Sequence, residues 1–199
     1  ASVHDLKKHG NRDGEAVSAE DWANMTAVGK PLTMGDYTTV FVEDILNEML
    51  VNEDMFLVTD VKFDDVTDEM TEEMVQEEVC LQFQLLVDAA RERDEELLNR
   101  IVPQIYTPEM YDWRMEIYPF QSLIFTCYKT ELSPKEITDF CAGKENIHVV
   151  TVEYEEIPVS AQEIEDARES GETLRPYETN LRFASSDLAY IHENGLLVY

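Results

Sequence analysis

Basic residues are scarce in this chain: 15 Lys and Arg stand against 43 Asp and Glu over 199 residues, a formal net charge of -28. A field of that sign repels DNA, RNA and anionic membranes and attracts cations or basic protein surfaces. Neither direct nucleic-acid binding nor a membrane partner is therefore expected. Cysteine is also sparse. Cys80, Cys127 and Cys141 form no Cys-x-x-Cys pair, and the histidines His4, His9, His148 and His192 are scattered. That speaks against a disulfide framework or a zinc site, and no metal or other cofactor is expected. A reducing compartment fits best. No apolar run reaches the roughly 18 residues of a membrane span, and "ASVHDLKKHG" has no apolar signal core. The expected location is cytoplasmic, or inside a virion.

Enzyme signatures are missing as well. "AVGKPLT" at 27–33 has the Gly-Lys of a phosphate loop but not its first glycine, and Pro31 removes an amide donor. No Ser-His-acid or Cys-His pairing has local support. Asp60-Val61-Lys62 matches the acid-x-Lys element of metal-dependent nucleases, with Glu43, Asp44 or Asp64 as a second Mg²⁺ carboxylate. In so acidic a chain the pattern arises easily by chance. His148 sits in the best strand pattern and reads as a half-buried sheet residue rather than a base. The aromatic segment 106–131, with Arg114 and Lys129, could stack bases, but in a negative field it reads as core or protein interface.

What is present is enough to fold. Hydrophobic residues make up 44% and aromatics 10%, outside the range of disordered chains, and a chain of this length buries roughly 70% of its unfolded surface. Residues 1–36, rich in glycine with few large apolar side chains, read as an extended arm with one helical turn at "SAEDWANM". A single α+β domain is expected over 37–199, with a mixed sheet. "YTTVFVED" has strand composition and "DILNEMLVN" helical spacing. "DMFLVTDVKF" suggests a strand ending at Phe63.

"VCLQFQLLV" at 79–87 alternates like a strand, yet no turn residue separates it from its neighbours. One long helix is therefore preferred from 67 to about 102, capped at Asp65 or Thr67, with a break near Asp94. "YDWRMEI" and "SLIFTCYKT" read as strands. "SPKEITDFCAGK" reads as a helix with Ser133 at the N-cap, Pro134 at N1, Glu136 at N3 and Gly143 at the end. "IHVVTVEYEEI" is the strongest strand and "SAQEIEDARESG" a second capped helix. Asn194-Gly195 between β-forming runs predicts a C-terminal hairpin.

Charge is concentrated. Residues 36–78 hold 15 acids against Lys62, and residues 145–178 hold 10 against Arg168 and Arg175. The densest part is "DDVTDEMTEEMVQEEV" at 64–79, with Asp64, Asp65, Asp68, Glu69, Glu72, Glu73, Glu77 and Glu78. On a helix the acid pairs line one face beside a Val66, Met70, Met74 seam. Like charges at i, i+4 repel by roughly 0.2 to 0.5 kcal/mol per pair, and no lysine relieves them. A solvated face, a docking surface for a basic partner and phosphate mimicry all fit; carboxylates four residues apart rise about 6 Å. The expected function is non-catalytic: an acidic interaction protein docking into a larger protein assembly, such as a viral or phage particle component or assembly factor. A nucleic-acid mimic that inhibits a DNA-binding protein, and the nuclease at Asp60 and Lys62, are the alternatives.

Overall fold

The computed structural model describes residues 18–24, 40–61, 72–152, 156–158, 162, 165, 166, 169, 177–179 and 183–199. They fall into two compact units, one drawn from residues 1–55 and 89–97 and the other from 56–88 and 98–199. No helix among the described residues is long and apolar enough to cross a membrane.

The first unit is helical. α1 (Ala19–Asn24) is the turn expected at "SAEDWANM". Trp22 donates its indole N–H to the Val40 carbonyl at 3.4 Å. α2 (Val42–Val51) follows, although the composition of "YTTVFVED" favours a strand. The cap decides this locally. The Asp44 carboxylate accepts from the Phe41 N–H at 3.0 Å, and the turn that follows brings Leu46 and Met49 inside. Arg93 donates to Asn47 Oδ1 at 2.9 Å and to the Ala89 carbonyl at 2.8 Å. Ala90 and Leu97 are buried in this unit.

Among the described residues, the second unit is a parallel sheet with helices packed on one face. Its five strands, β1 (Leu57–Thr59), β2 (Ile101–Ile105), β3 (Leu123–Thr126), β4 (Ile147–Thr151) and β7 (Leu197–Val198), lie in chain order, and every neighbouring pair is parallel. Between them run α3 (Glu72–Arg91), whose last three residues belong to the first unit, then α4 (Pro108–Ile117), α5 (Pro134–Ala142) and α6 (Ser185–Glu193). Antiparallel pairing among the described residues is confined to β5 (Glu156–Pro158) with β6 (Tyr177–Thr179). The α+β class expected from the sequence holds, but the five-stranded sheet is parallel rather than mixed, because a helix runs between each strand and the next.

Consecutive helices touch side by side. Phe83 of α3 meets Phe120, just past α4, edge-on at 6.1 Å, and Tyr111 of α4 meets Phe140 of α5 at 5.9 Å. Tyr190 of α6 donates to Asp139 of α5 at 2.8 Å. Phe140 also packs on Phe125 of β3 at 5.7 Å, so the helix layer covers the sheet face that carries Phe125. Ile101, Ile105, Leu123, Ile147 and Val150 bury there. On the other face, registry places Gln104, Ile124, Val149 and Leu197 in one row across four strands, and Val58 beside Val102.

Several sequence expectations need correction. The C-terminal hairpin is absent: Asn194-Gly195 ends α6, and the strand that follows pairs parallel to β4. Gly195 has φ 79°, its N–H reaches the His192 carbonyl at 3.0 Å, and the Leu196 N–H reaches Ile191 at 3.2 Å. Those two bonds are the Schellman C-cap, which needs the same positive φ as a hairpin turn. "YDWRMEI" is helical, not extended. Thr107 Oγ1 accepts from the Met110 N–H at 3.4 Å and Pro108 takes the first turn, while Met110 and Arg114, four apart, are buried.

The long helix stops at Arg91, turns at 92–94 as the expected break requires, and passes through a 3-10 turn (Glu95–Arg100) into β2. Pro103 therefore lies in a strand. It is tolerated because the β1 ladder ends at Thr59↔Pro103 and the β3 ladder begins at Gln104↔Ile124. Residues 79–87 are helical, as preferred, and the α5 caps form as read, with Ser133 and Glu136 bonded reciprocally. The expected arm, apart from 18–24, the Asp65 or Thr67 cap and most of "SAQEIEDARESG" lie outside the described residues; Gln162, Glu165, Asp166 and Glu169 are helical.

Candidate functional site

α3 is the element on which the acidic prediction falls. Its inward arc carries Val79, Phe83, Leu86, Val87 and Ala90, all buried. At about 100° per residue these cluster on one side, and residues 78, 81, 85 and 88 fall within about 80° on the other. Glu78 and Asp88 are exposed there, Glu77 is exposed at its edge, and Glu73 is exposed on the flank toward Val87. Two leucines stand on the outward side as well: Leu81 is 59% and Leu85 60% accessible. Gln82 donates to Glu78 at 3.4 Å and Gln84 to Asp88 at 2.9 Å, so the amides are tied to carboxylates along the same surface. From Glu72 to Ala90 there is no Lys, Arg or His. The first cation is Arg91, 3.5 Å from Glu95.

Of the eight acids singled out from sequence, Asp64, Asp65, Asp68 and Glu69 lie outside the described residues, and Glu72 opens α3. Glu78 lies on the outward side and Glu77 at its edge, while Glu73 is exposed on the flank. The apolar seam differs from expectation. Val66 and Met70 lie outside the described residues, and Met74 is exposed rather than facing the core. The helical phase is set by Val79 and Phe83, which point away from Met74. Leu81 and Leu85 were missed because "VCLQFQLLV" alternates; only the helical period puts them among the acids.

No protein-family model, curated protein or solved structure matches the chain.

Asp60, at the carboxyl end of β1, accepts the hydroxyl of Tyr106 at the end of β2. Lys129 Nζ lies 5.8 Å from the centroid of the same Tyr106 ring. Lys62 and Asp64 are outside the described residues, and Asp44 caps α2. Among the described residues no group of three or more His, Cys, Asp or Glu could hold a metal ion. His148 is exposed rather than half-buried; it is the extra residue where the β3–β4 register shifts from Leu123↔Ile147 to Ile124↔Val149. Cys127 and Cys141 are buried free thiols, and burial pushes Cys141 up to about 12, which makes it a poor nucleophile.

Among the described residues, the buried charge with unfilled valences is Arg114 of α4. It is fully buried, donates Nη1 to the Val79 carbonyl at 3.3 Å, and leaves Nε and Nη2 without acceptors. It ties α4 to the inward side of α3 and so fixes which side of α3 faces out.

Proposed function

We propose that this chain is a non-catalytic interaction protein that docks a basic partner surface on the outward side of α3, within a larger protein assembly. The observation that carries the reading is the pair Leu81 and Leu85, exposed one turn apart between Glu78 and Asp88 on a helix face with no base. Solvated helix faces carry isolated apolar residues without consequence. Two leucines in register with a one-signed row give a partner both apolar area and a charge to match. Burying a leucine contributes roughly 1.5 to 3 kcal/mol, while the acids steer encounter and exclude acidic competitors. A viral or phage particle component, or an assembly factor, is the concrete version, supported by the arm-like composition of residues 1–36.

The leucines also weigh against phosphate mimicry, which needs carboxylates where they stand. Affinity purification from the native source tests the reading, with wild type run beside Leu81→Gln/Leu85→Gln and Glu73→Gln/Glu77→Gln/Glu78→Gln. A basic protein retained by wild type and lost from both variants supports it. A DNA-binding protein lost only from the glutamine triple and displaced by duplex DNA establishes mimicry instead. An unchanged set of captured proteins removes the reading.

A further inference from the structure

The side chain of Arg114 reaches α3 between three successive contacts. Nη1 donates to the Val79 carbonyl, the guanidinium stacks over the Phe83 ring, and Nε and Nη2 find no acceptor although the residue is fully buried. Cys80 follows Val79 in the chain and stands three before Phe83, and residues three apart are neighbours on a helix surface. The guanidinium therefore lies beside the Cys80 thiol. The two groups feel each other: burial raises the thiol's pKa, Arg114 pulls it back, and Glu116, exposed on α4, raises it again. Cys80 in turn favours the charged form of Arg114.

Of the three free thiols, Cys127 and Cys141 are buried and Cys80 is half-buried, so a small solute meets Cys80 first. A neutral thiol is a weak acceptor and leaves the guanidinium uncompensated. Oxidation changes that. The Cys80 sulfur attacks one oxygen of hydrogen peroxide; an S–O bond forms, the O–O bond breaks, and the departing hydroxide takes up the thiol proton as water, leaving a sulfenic acid. A second peroxide adds a second oxygen in the same way and releases a second water. Sulfur gives up two electrons to each peroxide, and the sulfinic acid then loses its proton to solvent. The product carries one negative charge over two oxygens, the paired acceptors that the edge of a guanidinium bonds in parallel. Because burial raises the thiol's pKa, little thiolate is present at neutral pH, and the reaction answers sustained peroxide rather than a brief pulse.

We propose that Cys80 is an oxidation site whose sulfinate is held by Arg114, so that peroxide converts an uncompensated buried cation into an ion pair joining α3 to α4. Leu81 and Leu85 take no part in it, and it does not depend on the reading of the outward side of α3.

The test uses the full chain and an excess of hydrogen peroxide, with Cys80→Ser treated identically so that methionine oxidation is common to both. Peptide masses should place two added oxygens on Cys80 ahead of Cys127 and Cys141. The oxidised wild type should unfold about 4 °C or more above treated Cys80→Ser, measured against the difference between the untreated pair, on the scale of one charge-assisted hydrogen bond in a chain of this length. A second arm needs no oxidant. Cys80→Asp sets a carboxylate where the sulfinate forms, and it should unfold at a higher temperature than Cys80→Asn; in the Arg114→Met background that advantage should vanish. The proposal is overturned if Cys127 or Cys141 is oxidised first, if oxidation of Cys80 leaves the midpoint unchanged or lowers it, or if the advantage of Cys80→Asp over Cys80→Asn is absent or survives the loss of Arg114.

Discussion

The guanidinium carbon of Arg114 lies 3.0 Å from the centroid of the Phe83 ring, and no carboxylate bonds to it. A buried cation held by an aromatic face and one carbonyl is poorly compensated for the water it has lost. Burial pulls its pKa from the ordinary guanidinium range down to about 9. The cost is therefore present in full below about pH 9, where both folded and unfolded chains carry the charge. It is relieved as pH rises above about 9, where the folded chain has released a proton that the unfolded chain still holds. Arg114→Met should hold or raise stability at pH 7 by about 1 to 3 kcal/mol, and its advantage over wild type should shrink above pH 9. Denaturant titration across pH measures this; a loss of several kcal/mol at pH 7 would show that the guanidinium stabilises the fold.

Phe83 itself joins α3 to Arg114 and, edge-on, to Phe120. Phe83→Ala should cost about 3 to 5 kcal/mol, read as a shift in denaturation midpoint at unchanged m-value. A cost under 1 kcal/mol would mean that α3 is not seated by this contact.

The cap at Gly195 gives a sharper contrast. With φ at 79°, Gly195→Ala should cost about 1 to 2 kcal/mol, and Gly195→Asn less, since Asn tolerates the left-handed region. Thermal unfolding of the two variants decides the order. Equal stabilities would argue that the Schellman bonds do not form.

Ser133 donates to Glu136 at 2.6 Å through its hydroxyl and at 2.8 Å through its N–H, and these bonds hold the Glu136 carboxyl below its usual pKa. The stability they give is present above the unfolded value of 4.5 and is lost as pH falls through the lower folded value. Ser133→Ala should therefore cost about 1 kcal/mol near neutrality, and the gap from wild type should narrow in acid below pH 4.5. A gap independent of pH would assign the whole effect to the Ser133 hydroxyl and the Glu136 N–H.

How far the fold was legible depended on whether a residue pattern has one structural use or two. Ser133-Pro134 followed by Glu136 has one, and the α5 cap formed as read. Thr107-Pro108 is the same kind of signal, but the alternating Tyr111, Trp113 and Met115 outweighed it. Asn194-Gly195 supplies positive φ, which both a hairpin and a helix C-cap require, and only the helical residues 185–193 decide between them. Pro103 reads as a helix stop from sequence; its place in β2 depends on where two ladders end, which is tertiary information. At the candidate site the acids were plain from composition. Leu81 and Leu85 were not, because their exposure follows from Arg114 and Phe83 fixing the phase of α3.

The central claim is that the outward side of α3 is a contact surface, and photo-crosslinking from position 82 tests it most directly. Gln82 is exposed beside Leu81 and Leu85. A photoreactive side chain placed there, activated in the native source, should join one predominant partner through a segment rich in Lys or Arg, and Leu81→Gln/Leu85→Gln should remove that product. Equal yields with and without the leucines, or crosslinks spread over unrelated proteins, would contradict the account.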